Sequence, residues 1–398
     1  MTKLLIQRRL VLLLTSNLRV VVSHLFIFPR GGGYSCPLRN LSYSPQIIQH
    51  AKSYHTSATV KNYQLHSQIV SHSNSNNSLH PQFVTGLSDA EATFTFNFRE
   101  ISNSLVGWHI KPTFRISLHY KDKHLLTKIQ DFFGVGNINL YPEAGVSMYT
   151  IGKLEDIINV IIPHFLNYPL ITQKQADFIL FTQIVEIINR GEHLTEEGLI
   201  KIFMIKKHHN KGLSAKAEQF LNSYLSNNPK FASEFVVTRP VIKITTPLDP
   251  NWVSSFIAGD GSFYVSVYED KKRVNWQVRP ALSVGLHSKD LDVLENLKLF
   301  FNSGNITKEN KKPVAKFYIR DLSSICEKVI PHFKKYPLIG VKLYDFEDFC
   351  TIIDLKKTKA HLTEEGLAEI KKIVSTMNLR RADDKGEFAI IAKSSDTD

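Results

Sequence analysis

Residues 252–261 read WVSSFIAGDG and run directly into SFYVSV at 262–267. The first stretch is apolar on a helical stripe, carries small residues at Ser255 and Gly259, and ends on an acid, Asp260. Alternation then takes over, with Phe263, Val265 and Val267 on one side and Ser262, Tyr264, Ser266 and Tyr268 on the other. That change of period marks a helix passing straight into a strand. A second copy lies upstream, FVTGLSDAEA at 83–92 followed by TFTFNF at 93–98, with Gly86 and Ala90 as the small residues and Glu91 as the acid. Small residues four apart share a helical face and let two backbones approach closely. Two helices packed through that face bring Glu91 and Asp260 side by side, where carboxylates repel unless a cation sits between them. The negative ends of both helices add to that demand. Acid oxygens with room for water suit Mg²⁺, and such a site can assist phosphodiester hydrolysis. The plainer alternative is a pair of packing helices with solvated acids at their ends; duplication of the whole pattern weighs against it.

The duplication extends well beyond these helices. LHYKDKHLL at 118–126 returns as LHSKDLDVL at 286–294, an offset of 168. FFGVGNI at 132, IPHFLNYPLI at 162 and HLTEEGL at 193 return at the same spacing as FFNSGNI, IPHFKKYPLI and HLTEEGL. Four blocks at one spacing establish an internal repeat. Each copy reads as a helix, two strands, a helix opening at the KD pair, two more strands and further helices. Asp122 and Asp290 are placed to cap the helices that follow them. The expected fold is α+β (mixed α/β): two pseudo-symmetric αββαββα repeats, each with an antiparallel sheet. One face of each sheet packs on helices and the other is polar, so two sheets side by side form a saddle. Phe94, Phe96 and Phe98 should turn inward, leaving Thr93, Thr95, Asn97, Arg99 and Arg115 on the open face. The repeats span 81–225 and 251–381, joined by an extended linker at 226–250 and followed by an acidic tail at 382–398.

The net charge is +12, but residues 1–88 hold eight basic residues and no acid. Two thirds of the excess therefore belongs to the leader, and bulk charge is weak evidence for a polyanion partner. Residues 1–80 are basic and Ser-containing, and their apolar runs are interrupted at Thr15–Asn17 and Arg19. This argues against a membrane span; a secretory signal would have a broken apolar core and no clear cleavage site, and the composition better matches an organelle import leader. SYHTSA at 53–58 resembles the end of a fungal mitochondrial presequence; a leader translated inside the organelle and then trimmed has the same composition. SHSNSNNS at 71–78 reads as a flexible spacer. Three cysteines, Cys36, Cys326 and Cys350, without CxxC spacing exclude a disulfide framework and a zinc knuckle. Thr195 and Thr363 in the two HLTEEGL blocks read as helix caps. His119 and His287 read as hydrogen-bonded strand ends, and Pro163 and Pro331 as shaping the turn before the next helix.

The two opening helices, together with FFGVG, YPLITQKQADF, HLTEEGL and HNKGLS, resemble the LAGLIDADG family of homing endonucleases in the single-chain, two-repeat form of fungal mitochondrial introns. The nonapeptides are VTGLSDAEA at 84–92 and VSSFIAGDG at 253–261, and the resemblance spans about 81–381. It implies a monomeric, mitochondrial, Mg²⁺-dependent enzyme that makes a double-strand break in a long asymmetric DNA target, with no membrane partner. It places the metal-binding acids at Glu91 and Asp260 and the active-site lysines at Lys174 and Lys342. DNA contacts fall on the open sheet faces: Thr93, Thr95, Asn97, Arg99, Arg115, Ser117 and Asn139 in the first repeat. In the second they are Ser262, Tyr264, Ser266, Tyr268, Ser283, Thr307, Lys316 and Tyr318. The chain departs from the family pattern at Ala258, Ser255, Ala92, Leu118 and Leu286. Glu in one copy and Asp in the other make the centre asymmetric, which implies unequal nicking of the two strands. His208-His209-Asn210 matches a different homing-nuclease class by its letters only. Two further readings share the fold: a maturase that binds group I intron RNA, and a DNA-binding relative without chemistry.

Overall fold

The computed structural model describes residues 78–101, 106–244, 247–270 and 275–378, together with two backbone strands near the N-terminus. Those strands, β1 (Val11–Thr15) and β2 (Leu18–Val22), pair antiparallel within a separate unit, 1–55. The rest of the leader up to residue 77, with all but the last residue of the spacer, and the acidic tail lie outside the described residues.

The first repeat runs α1 (Pro81–Glu91), β3 (Ala92–Glu100), β4 (Trp108–His119), α2 (Lys123–Phe133), β5 (Asn137–Tyr141) and β6 (Val146–Ile151). A helical run at 154–167 (α3) follows, then α4 (Lys174–Asn189), α5 (Glu196–Lys207), α6 (Ala215–Asn227) and α7 (Pro229–Glu234). The second repeats the order: α8 (Pro250–Asp260), β7 (Gly261–Asp270), β8 (Asn275–His287), α9 (Leu291–Phe301), β9 (Asn305–Lys308) and β10 (Val314–Ile319). It closes with a helical run at 322–335 (α10), α11 (Val341–Lys357) and α12 (Glu364–Thr376). Among the described residues no helix is long and apolar enough to cross a membrane.

Local chemistry sets the element ends. Proline opens both α1 and α8, where its missing N–H is no loss. The Asp249 side chain caps α8 by accepting from Asn251 N at 2.8 Å. Gly134 (φ 70°) and Asn302 (φ 43°) end α2 and α9 in the left-handed region.

Each repeat forms one four-stranded antiparallel sheet, in the orders β3-β4-β6-β5 and β7-β8-β10-β9. Register puts Phe94 opposite Phe114 and Phe114 opposite Ile151, so one row is wholly apolar. The next row, Thr93, Arg115 and Thr150, belongs to the other face. Phe94 packs against Phe114, Phe165, Phe178 and Phe181 at ring separations of 5.2–5.5 Å. Phe263 does the same with Phe333, Phe346 and Phe349 at 5.2–5.4 Å. Phe98 and Val267, expected to point inward, are only partly buried near the strand ends.

Two local expectations need correction. Pro163 and Pro331 lie inside continuous helical runs, not in turns. Each follows a π-helical stretch, Ile157–Ile161 or Ile325–Val329; the wider turn accommodates the donor that proline lacks. The segment after Asn227 is not extended throughout, because α7 forms within it. Farther on, Arg239 forks onto Asp177 at 2.6 and 3.0 Å and also reaches the carbonyls of His208 and Gln173. This fastens the linker to the first repeat.

The repeats meet through α1 and α8. A Cβ on Gly86 would overlap the Ser255 hydroxyl and the Trp252 carbonyl, and one on Gly259 would fall 2.5 Å from that of Ala90. The buried Asp89 carboxylate crosses the seam to accept the Trp252 indole N–H at 2.8 Å. It also takes the Thr172 hydroxyl at 2.6 Å and the amides of Ile171 and Thr172 at 3.0 and 3.2 Å. Burial raises its pKa, and the hydrogen bonds pull it back. Gly86→Val should therefore lower stability by about 3 kcal/mol through overpacking against backbone. Urea denaturation measures this, and an unchanged midpoint would contradict the close contact.

Candidate active site

The carboxylates of Glu91 and Asp260 emerge at the adjoining C-terminal ends of α1 and α8. Glu91 Oε1 lies 3.0 Å from where a Cβ on Gly259 would stand, beside Asp260. Glu91 is half-buried and Asp260 more open. Loss of hydration raises the pKa of Glu91, opposed by Lys174 and Lys342. Asp260 is pushed up to about 7, first by the same desolvation and then by the Glu91 carboxylate, again against Lys174.

The two lysines come to the same place. Lys174 Nζ donates to the carbonyls of Ser88 and Ala90 at 2.9 and 3.2 Å, over the last turn of α1. Lys342 Nζ donates to the Gly261 carbonyl at 2.8 Å, just past α8. Burial pulls both lysines below the usual range, and both acids of the pair hold them up. A cleft of about 610 Å³ opens on the Glu91 side, lined also by Ser117, Asp122, Ser262, Lys342 and Asn378. Two acids whose ionisation is opposed by burial, that of Asp260 also by Glu91, form a donor set suited to a hard dication.

The sheet residues are spread over the open faces. Thr93, Asn97, Arg99, Asn139, Ser266, Tyr268, Thr307 and Lys316 are exposed, while Thr95, Arg115, Ser117, Ser262, Tyr264, Ser283 and Tyr318 are half-buried. Several already have protein partners. Lys316 pairs with Glu309 at 3.0 Å, Ser262 donates to Asn378 Oδ1 at 3.3 Å, and the Tyr264 hydroxyl accepts from Arg320 at 3.4 Å. The same rows contain residues that the first strands alone do not reveal. Lys111 lies opposite Asn97 and His109 opposite Arg99; Arg279 and Gln277 lie opposite Ser266 and Tyr268. Alternation along β4 and β8 carries that signal.

Asp122 and Asp290 correct the sequence reading. Each occupies the position before its own helix but makes no capping bond to it. Asp122 Oδ1 instead accepts from Val341 N at 2.7 Å, and Asp290 Oδ1 from Gln173 N at 2.6 Å, each in the opposite repeat. The competing donor is itself the start of a helix, and it lies across the seam, where local sequence cannot show it.

The other polar motifs are structural. Thr195 and Thr363 accept from Gly198 N and Gly366 N at 3.1 Å, as caps should. His119 and His287 accept from the amides of Lys121 and Lys289 at 3.3 and 3.1 Å. His209 is buried and driven down to about 4 by desolvation. Asn210, at φ 49°, donates to the Phe94 carbonyl at 2.6 Å; Asn378 repeats this on Phe263 at 2.9 Å. The second motif residues, Thr85 and Ser254, donate to the carbonyls of Tyr168 and Tyr336 and lie against His164 and His332.

Two pseudo-symmetric αββαββα halves with a shared acid pair at their helical seam define a single-chain protein with one composite centre. Residues 84–185 and 253–353 match the LAGLIDADG endonuclease family model, and the chain belongs to that family. A probable intron-encoded endonuclease 3 of Neurospora crassa is 35% identical over 303 residues, 76% of this chain. The match spans 55% of that relative's length. The LAGLIDADG homing endonuclease I-SmaMI bound to cleaved DNA is 33% identical with a TM-score of 0.70, over 77% of this chain and 100% of that one. I-SmaMI bound to an uncleaved DNA target with calcium ions is 33% identical with a TM-score of 0.69, over 76% of this chain and 99% of that one.

The raised pKa of Asp260 gives a signed pH dependence to the metal-free protein. Neutral Asp260 contributes stability that is present below its ordinary value of 3.8 and is lost as pH rises toward about 7. Asp260→Asn, neutral throughout, should thus stabilise the chelator-treated protein at pH 8 by about 1 kcal/mol after solvent screening. The gain should fall to less than half at pH 5. Urea midpoints at both pH values measure it; an equal shift at both would contradict the electrostatic origin.

Proposed function

We propose that this chain is a site-specific homing endonuclease that makes a metal-dependent double-strand break in a long asymmetric DNA target. The observation that carries this reading is the Glu91–Asp260 pair, contributed by two repeats of one chain and flanked by Lys174 and Lys342. Mg²⁺ is the ion we assign, because the donors are carboxylates and the cleft leaves room for water. When bound, the metal supplies charge stabilisation at the attacking and leaving oxygens of the phosphodiester.

Glu91 and Asp260 hold that charge at the seam, and the helix C-termini behind them strengthen their pull on a cation. Lys174 and Lys342 lie over the ends of α1 and α8 within the field of both acids, placed to stabilise charge developing on a scissile phosphate or to orient water. The polar rows of the two sheets read base edges in the major groove, while Arg99, Arg115 and Lys316 contact phosphates. Different residues in equivalent rows suit a target without twofold symmetry. Because one chain supplies both halves of the centre, a monomer suffices. The mitochondrion is the compartment we assign, consistent with the acid-free leader.

The full chain should linearise a plasmid carrying the intron-free junction of its host gene when Mg²⁺ is present. Glu91→Gln and Asp260→Asn should each lower that rate at least about 10³-fold while the chain still binds the DNA. Cleavage undiminished by both substitutions would contradict the assignment. No cleavage by the unsubstituted chain, with group I intron splicing assistance that survives both substitutions, would instead favour the maturase role.

A further inference from the structure

We propose that Asp122 and Asp290 are positioning residues acting across the seam, each setting the active-site lysine of the opposite repeat. The inference rests on the endonuclease reading of the same centre and adds a coupling between its halves.

Lys174 is the first residue of α4 and Lys342 the second of α11. The amide just before each lysine is the one bound by an acid of the other repeat: Gln173 N by Asp290 and Val341 N by Asp122. Asp122 and Asp290, Gln173 and Val341, and Lys174 and Lys342 all stand 168 apart, so the arrangement is reciprocal. Neither acid serves its own helix. The bonds are short and charge-assisted, and each acid sits at the positive end of a helix that is not its own. Gly340 is shaped to this contact: at φ 95° it favours glycine, and a Cβ there would strike Asp122 Oδ1.

With the helix start fixed, the four-carbon stem of each lysine can reach the carbonyls beside the acid pair, where both ammonium groups are found. A loosened start would let the ammonium drift, and misplacement by about 1 Å can slow a reaction roughly 10²-fold. The two sides are not equally supported. Lys174 N also donates to the Thr172 hydroxyl at 3.2 Å, which is itself bound to Asp89 at 2.6 Å. The equivalent position in the second repeat is Gly340, which has no side chain to do so. Lys342 therefore depends more on Asp122 than Lys174 does on Asp290.

Strand-resolved nicking of a supercoiled target tests this, with hydrogen exchange as a readout independent of cleavage. Asp122→Ala should slow the strand that Lys342→Met slows, by roughly 30-fold, and change the other strand less than about 3-fold. Asp290→Ala should act on the Lys174→Met strand, by roughly 5-fold. Asp122→Asn, which keeps an acceptor oxygen, should recover most of the rate. Exchange should quicken at 341–344 in Asp122→Ala and at 173–176 in Asp290→Ala. Equal slowing of both strands, no recovery by Asn, or quickened exchange only in the helix following the substituted acid would overturn the proposal. If Glu91→Gln cleaves at the unsubstituted rate, the endonuclease reading fails, and the exchange data still judge the cross-seam contact.

Discussion

The approach of α1 to α8 is the constraint on which the rest of the structure depends. Gly86 and Gly259 bring two backbones within a distance that no larger side chain allows, and Asp89 locks them by taking the Trp252 indole proton. Both helices turn into strands one residue after their acids, so the same contact fixes two things. It sets the separation of Glu91 and Asp260, and it sets where the two sheets begin. A shift of one helix along the other would move the acids and the polar rows together.

Electrostatics at the seam are costly. Two acids lose hydration beside each other, and two lysines lose hydration beside them. Burial works against the charge of all four groups, and the proposed dication and phosphate would offset that cost. The supporting bonds cross between repeats: Asp89 to Trp252, Asp122 to Val341 and Asp290 to Gln173. The halves are copies in sequence yet are not independent in structure.

Most of the architecture was legible in the chain. The offset of 168 revealed the duplicated unit, and the change from helical to alternating period after Asp260 and Glu91 located the helix–strand junctions. Glu91, Asp260, Lys174 and Lys342, which the family resemblance picked out, come together at the ends of α1 and α8. What remained hidden was non-local. Asp122 and Asp290 look like caps for the next helix, because nothing in nearby residues announces a donor 219 or 117 positions away. Asp89 reads as a motif letter until Trp252 is seen across the seam. The π-helical turns before Pro163 and Pro331 escaped because a proline inside an apolar helix reads as a stop. Arg239 escaped because its partner, Asp177, lies in another element.

The most direct test of the shared acid pair is anomalous scattering from a crystal of the protein grown with target DNA and Mn²⁺ in place of Mg²⁺. A metal peak within coordinating distance of oxygens from both Glu91 and Asp260 is the expected result. A peak bound to neither acid, or carboxylates too far apart to share an ion with the DNA in place, would contradict the account.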